Sequence, residues 1–123
     1  MKLSNTQIYN YSQALNSAFT EKELYLPAKI NFYIQKNAQT LAEAAKGIED
    51  GRMAIIRHYG EPDEENGTIT VPPEKIEVAS NELNDLFGLE QDLKIYTVDI
   101  EKFGEMELSL EQMNALMFMV EGD

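Results

Sequence analysis

The sequence predicts a mostly helical α+β domain, with a long central helix, shorter helices around it and a small antiparallel sheet of two to three strands. Three observations carry that expectation. Two Ser-x-x-Gln capping boxes open apolar-periodic runs, at Ser4–Gln7 and Ser109–Gln112. Residues 28–61 hold no proline. The only strand-like segments are short and lie in the second half. At 123 residues with 43% apolar content and no cysteine, one domain must form a core without disulfides or thiolate metal sites.

The elements follow in order. Ile8, Tyr11, Leu15 and Ala18/Phe19 recur at helical spacing after Ser4, which predicts a helix over about 5–18. Glu23 to Leu26 reads as extended, because a residue before proline avoids the helical region. Pro27 suits a helix start. From there to Tyr59, Ile34, Ala38, Leu41, Ala45, Ile48, Arg52, Ile55 and Tyr59 form a heptad-like seam, with Arg52 its only charged member. A continuous helix over 27–59 would run about 50 Å. A compact domain of this size is only roughly 35 Å across. The helix must therefore protrude, pair with a second subunit as a homodimer, or bend at Gly47 or Gly51.

Gly60 and Pro62 end that helix, and Asn66-Gly67 marks a hairpin-type turn. Thr68–Val71 reads as a strand stopped by Pro72-Pro73. A third helix from about Pro73 places Ile76, Ala79, Leu83 and Leu86/Phe87 on one face and stops at Gly88. Leu93–Ile100 has strand composition and could pair with 68–71 or with 23–26. The last helix runs from Leu110 to about Val120 and is apolar on every side. Such a helix is either inserted in the core or serves as an interface, its methionines adapting to a partner's shape. Leu110, Met113, Met117, Phe118 and Met119 are the candidate contact residues there.

Charge is segregated. The net charge is −12, yet residues 1–26 are neutral, 27–59 carry +2 and 60–123 carry −14. An acidic half repels nucleic acid and anionic membrane and attracts basic protein surfaces. Asp63, Glu64, Glu65, Glu74, Glu77, Glu82 and Asp85 are the candidate partner-binding carboxylates; their plainer role is solubility. Five cations lie on the long helix, at Lys29, Lys36, Lys46, Arg52 and Arg57. Lys29 and Lys36 share a face, but the set forms no single stripe, and salt bridges to the acidic half are the expected use.

The chemistry for catalysis is sparse. His58 is the single histidine, which without cysteine leaves no basis for a structural zinc site. Asp63-Glu64-Glu65-Asn66-Gly67 lacks EF-hand spacing and reads as a solvated turn. There is no phosphate loop or dinucleotide fingerprint. The longest apolar run, Ala115–Val120, is too short to span a bilayer. The expectation is a non-enzymatic protein with no cofactor and no metal, acting on a protein partner.

Leu26-Pro27-Ala28-Lys29, Asn31-Phe32-Tyr33-Ile34-Gln35-Lys36-Asn37, Ile48-Glu49, Arg52, His58-Tyr59-Gly60 and Gln112–Met119 together resemble small uncharacterised accessory proteins of tailed bacteriophages and prophages. The resemblance covers most of the chain, and its motifs are structural. It implies a phage protein in the cytoplasm of the infected cell or associated with the virion, and it assigns no functional residues. Two roles fit that setting. One is a stoichiometric inhibitor, for example of a host defence nuclease, presenting an acidic surface like that of nucleic acid. The other is an assembly or structural component, such as a chaperone or a head or tail adaptor, working through self-association.

Overall fold

Ser4 and Ser109 each start a helix by the same reciprocal exchange. The Ser4 hydroxyl accepts from the Gln7 amide at 3.1 Å, while the Ser4 amide donates to Gln7 Oε1 at 2.9 Å. Ser109 and Gln112 repeat this at 3.1 and 3.0 Å. The computed structural model describes residues 1–19, 26–63, 65, 67–103 and 107–121. The expected extension of residues 23–25, and Glu64 and Asn66 of the turn, lie outside the described residues.

The order is β1 (Lys2–Ser4), α1 (Asn5–Ala18), α2 (Ala28–Tyr59), β2 (Glu61–Asp63), β3 (Thr68–Thr70), α3 (Pro73–Gly88), β4 (Glu90–Asp92), β5 (Val98–Asp99), α4 (Ile100–Phe103), α5 (Leu110–Leu116), a 3₁₀ turn (Met117–Met119) and β6 (Val120–Glu121). This is the expected mostly helical α+β fold around one long helix. Among the described residues, no helix is long and apolar enough to cross a membrane.

α2 is unbroken across Gly47 and Gly51, and its 32 residues span about 48 Å. Its seam is buried at Ile30, Ile34, Leu41 and Ile48, against Ile8, Leu15 and Ala18 of α1 and Ala115, Leu116 and Met119 near the C-terminus. Beyond Ile48 no α2 residue is fully buried. There α3 and the β2–β3 hairpin cover the helix instead, so it does not project bare. A Cβ on Gly51 would meet Leu86 Cδ2 at 3.3 Å. At Gly60 a Cβ would collide with Ile69 Cγ2 and come within 2.5 Å of the Ile56 carbonyl oxygen. Glycine there lets the hairpin fold back onto the helix end.

The strands form three two-stranded ladders. β1 pairs antiparallel with β4, Leu3 opposite Gln91, and the Met1 ammonium closes the end on Asp92 Oδ1 at 3.0 Å. β2 pairs antiparallel with β3, Pro62 opposite Ile69. β5 pairs parallel with β6, Val98 opposite Val120.

Two expectations are corrected here. Residues 68–70 pair with their near neighbours 61–63, and only Val98–Asp99 of the 93–100 segment is a strand. The cause is Asn37 of α2, fully buried, which takes both backbone groups of Tyr96. Asn37 Nδ2 donates to the Tyr96 carbonyl and Tyr96 N–H donates to Asn37 Oδ1, each at 2.8 Å. A side-chain amide thus stands where a strand partner would. The C-terminal helix also stops at Leu116 instead of reaching Val120. The following 3₁₀ turn brings residues three apart onto one side, so Leu116 and Met119 both enter the core.

Candidate interaction surfaces

α3 carries the acidic candidates in an ordered way. At about 100° per residue, Glu74, Glu77 and Asp85 fall within an arc of about 80° on its outer side. All three are exposed. Ala79 is the only fully buried residue of α3, with Leu83, Leu86 and Phe87 half-buried beside it. Ile76, expected on the inner face, is 50% exposed, because the first turns of α3 have no deep core beneath them. Val78 is 43% exposed among the carboxylates. Glu82 lies on the flank, near the Tyr59 hydroxyl. Desolvation first, and then the Glu82 carboxylate, raise the Tyr59 pKa above its ordinary value. Asp63 is half-buried in β2 and accepts the Glu65 amide at 3.0 Å, an Asx turn leading to Gly67 at φ +66°. Glu65 is exposed in the turn, and Glu64 lies outside the described residues.

The C-terminal candidates separate into two groups. Leu110, Met113 and Met117 line the outer side at 76%, 38% and 54% exposure. Met119 is fully buried, with Asn37 Nδ2 3.4 Å from its sulfur, so it is a core residue and not a contact residue. Phe118 is half-buried and stacks on Tyr11 with centroids 4.9 Å apart. The helix is therefore two-sided and not buried all round. A groove of about 460 Å³ runs beside it, lined by Ala14 and Ser17 of α1 and Leu110, Glu111, Asn114 and Ala115.

A third surface escaped the sequence reading. Phe32, Tyr33 and Tyr96 form a triangle of rings with centroid distances of 6.3, 4.9 and 6.4 Å. Tyr33 and Tyr96 are stacked, 14° from parallel. Lys29 lies 5.7 Å from the Tyr33 centroid, Lys36 5.6 Å from Phe32 and Lys94 5.4 Å from Tyr96. The Asn37 clamp holds Tyr96 in this cluster. Lys29 and Lys36 thus rest on rings, and no ion pair engages them among the described residues. Arg52 does use the expected kind of pairing, but within its own helix. It binds Glu49 through Nε–Oε2 at 2.9 Å and Nη2–Oε1 at 2.5 Å. The hydrogen bond lowers the Glu49 pKa and raises that of Arg52. The signal for the cluster was present: Phe32 and Tyr33 sit between two same-face lysines, and no acid occurs from Pro27 to Ala42. Lys94 and Tyr96 join only through the tertiary fold.

Among the described residues, no group of three or more His, Asp or Glu side chains is placed to hold a metal ion. His58 is exposed and packs edge-on against Tyr59, 4.6 Å between centroids. What the arrangement offers is three chemically distinct faces: an acidic one, an apolar one and a cationic aromatic one. No protein-family model matches the chain, and comparisons with curated proteins and with solved structures likewise return no match.

Proposed function

We propose that this chain is a non-enzymatic, stoichiometric binding protein of a phage or prophage, which presents the outer face of α3 to a basic surface on a protein partner. The observation that carries this reading is the composition of that face. Glu74, Glu77 and Asp85 are exposed along one arc, and the exposed Val78 lies at the edge of that arc. A nucleic-acid-binding groove, such as that of a host defence nuclease, has the complementary charge, and carboxylates spaced along a helix can stand in for phosphates. The setting would be the cytoplasm of the infected cell or the virion. The test is affinity capture from host lysate with the wild-type chain and with the Glu74→Lys/Glu77→Lys/Asp85→Lys variant. The wild type should retain a basic protein that the variant loses. Equal retention by both would reject the α3 face.

A second reading, an assembly component working through self-association, is favoured by the exposed Leu110–Met113–Met117 stripe. An interface there would make self-association sensitive to Leu110→Glu and Met117→Glu and nearly indifferent to salt.

A further inference from the structure

We propose that the cationic aromatic cluster on α2 is a docking surface for a second copy of this chain, and that its occupant is the acidic outer face of that copy's α3. This goes beyond the basic partner proposed above and does not depend on it.

Three observations support the assignment. The cluster is built and not incidental. A fully buried Asn37 fixes Tyr96 against α2, Tyr96 stacks on Tyr33, and the three ammonium groups are held within 5.4–5.7 Å of three neighbouring rings. The acids that flank Lys94 and Tyr96 in sequence have partners of their own: Asp92 pairs with the Met1 ammonium and Asp99 accepts the Glu101 amide at 3.1 Å. The complementary charge is carried by every copy, since residues 60–123 hold −14.

The rings favour a carboxylate-bearing occupant over single-stranded nucleic acid. Base stacking needs free ring faces. Tyr33 and Tyr96 use faces on each other, lysines sit over the rings, and Phe32 alone is half exposed, at 51%.

The two surfaces lie toward opposite ends of one helix. Tyr33 marks the cluster and Tyr59, beside Glu82, marks α3; at 1.5 Å per residue they are about 39 Å apart. A contact between unlike surfaces at opposite ends gives head-to-tail chains or rings, or a two-fold pair in which two antiparallel copies make the contact twice. Charges beyond about 8 Å are largely screened at physiological ionic strength, whereas pairs within the contact are not. Association should therefore peak at intermediate salt. Repulsion between two −12 molecules opposes it at low salt, and loss of the contact pairs opposes it at high salt.

The test is a charge swap read by light scattering over a concentration series near 0.15 M salt. The wild type should rise above the 14.0 kDa monomer. Lys29→Glu/Lys36→Glu/Lys94→Glu should be monomeric, and so should Glu74→Lys/Glu77→Lys/Asp85→Lys. An equimolar mixture of the two should regain the mass. All six positions are exposed, and helical circular dichroism checks each variant's fold. A milder Lys29→Gln/Lys36→Gln/Lys94→Gln set should weaken association at least tenfold. A wild type that stays monomeric throughout, a mixture that does not assemble, or association that survives in both variants would overturn the proposal. So would tight binding of a single-stranded oligonucleotide that the lysine variant abolishes. None of these outcomes bears on capture of a basic partner.

Discussion

Asn37 is a fully buried polar residue in the seam of α2. A polar side chain buried in a helix seam is costly unless its groups are paired, and here both ends of the amide are paired with the backbone of Tyr96. Asn37→Ala would leave the Tyr96 N–H and carbonyl without their partner. The expected loss is about 2–4 kcal/mol in urea unfolding, because an unpaired buried polar group costs about 1–3 kcal/mol. The exposed Gln39→Ala should stay within about 0.5 kcal/mol of the wild type. The titrations also belong to single residues. Glu49 is lowered by its hydrogen bond with Arg52, so its contribution is present above the ordinary carboxylate value of 4.5 and is lost as pH falls below it. Tyr59 is raised, so its contribution is present below 10.0 and is lost as pH rises through and above that value. Chemical-denaturation midpoints should thus be level from pH 6 to 9. Glu49→Gln should flatten the acid limb, and Tyr59→Phe the alkaline limb. At this scale the sequence was least informative: Asn37 looked like one more polar residue in a helix, and no local pattern announces that its partner lies 59 residues away.

The helices were legible because their signals are local. Capping boxes, proline positions and apolar periodicity set α1, α2 and α3 to within a residue or two. The short ladders were not legible, since three-residue strands such as β1 and β4 have too few positions to show a period. What holds them is the Met1 ammonium and the backbone bond from Asn5 N–H to the Leu89 carbonyl, both set by the tertiary fold. The C-terminal element was legible only in part. All-round apolarity left core insertion and an interface both open, and the change from α to 3₁₀ geometry divides the buried Leu116 and Met119 from the exposed Leu110, Met113 and Met117. The glycines of α2 permit an element-scale test. Nothing lies within 4 Å of a Cβ at Gly47, so Gly47→Ala should stabilise by about 0.5–1 kcal/mol, the gain from replacing glycine inside a helix. Gly51→Ala should return less, because Leu86 must yield at 3.3 Å. Equal gains at both sites would show that α3 packs on α2 less closely than described.

Over the whole molecule, a long helix sets charge apart in space. Its first half carries lysines, rings and no acid as far as Ala42, and its far end supports the acidic α3. The separation was visible in the sequence as a division between 27–59 and 60–123. What the folded chain adds is direction: Lys94 crosses from the acidic half to join the cationic end, and the α3 carboxylates line one outward arc. The proposed role in binding rests on that outward acidity. The most direct measurement is calorimetric titration of the chain against its captured partner at about 0.05 M and 0.3 M salt. The expected result is one-to-one binding that weakens at least tenfold at the higher salt and is lost in Glu74→Lys/Glu77→Lys/Asp85→Lys. Binding that is indifferent to salt and unchanged in that variant would contradict it.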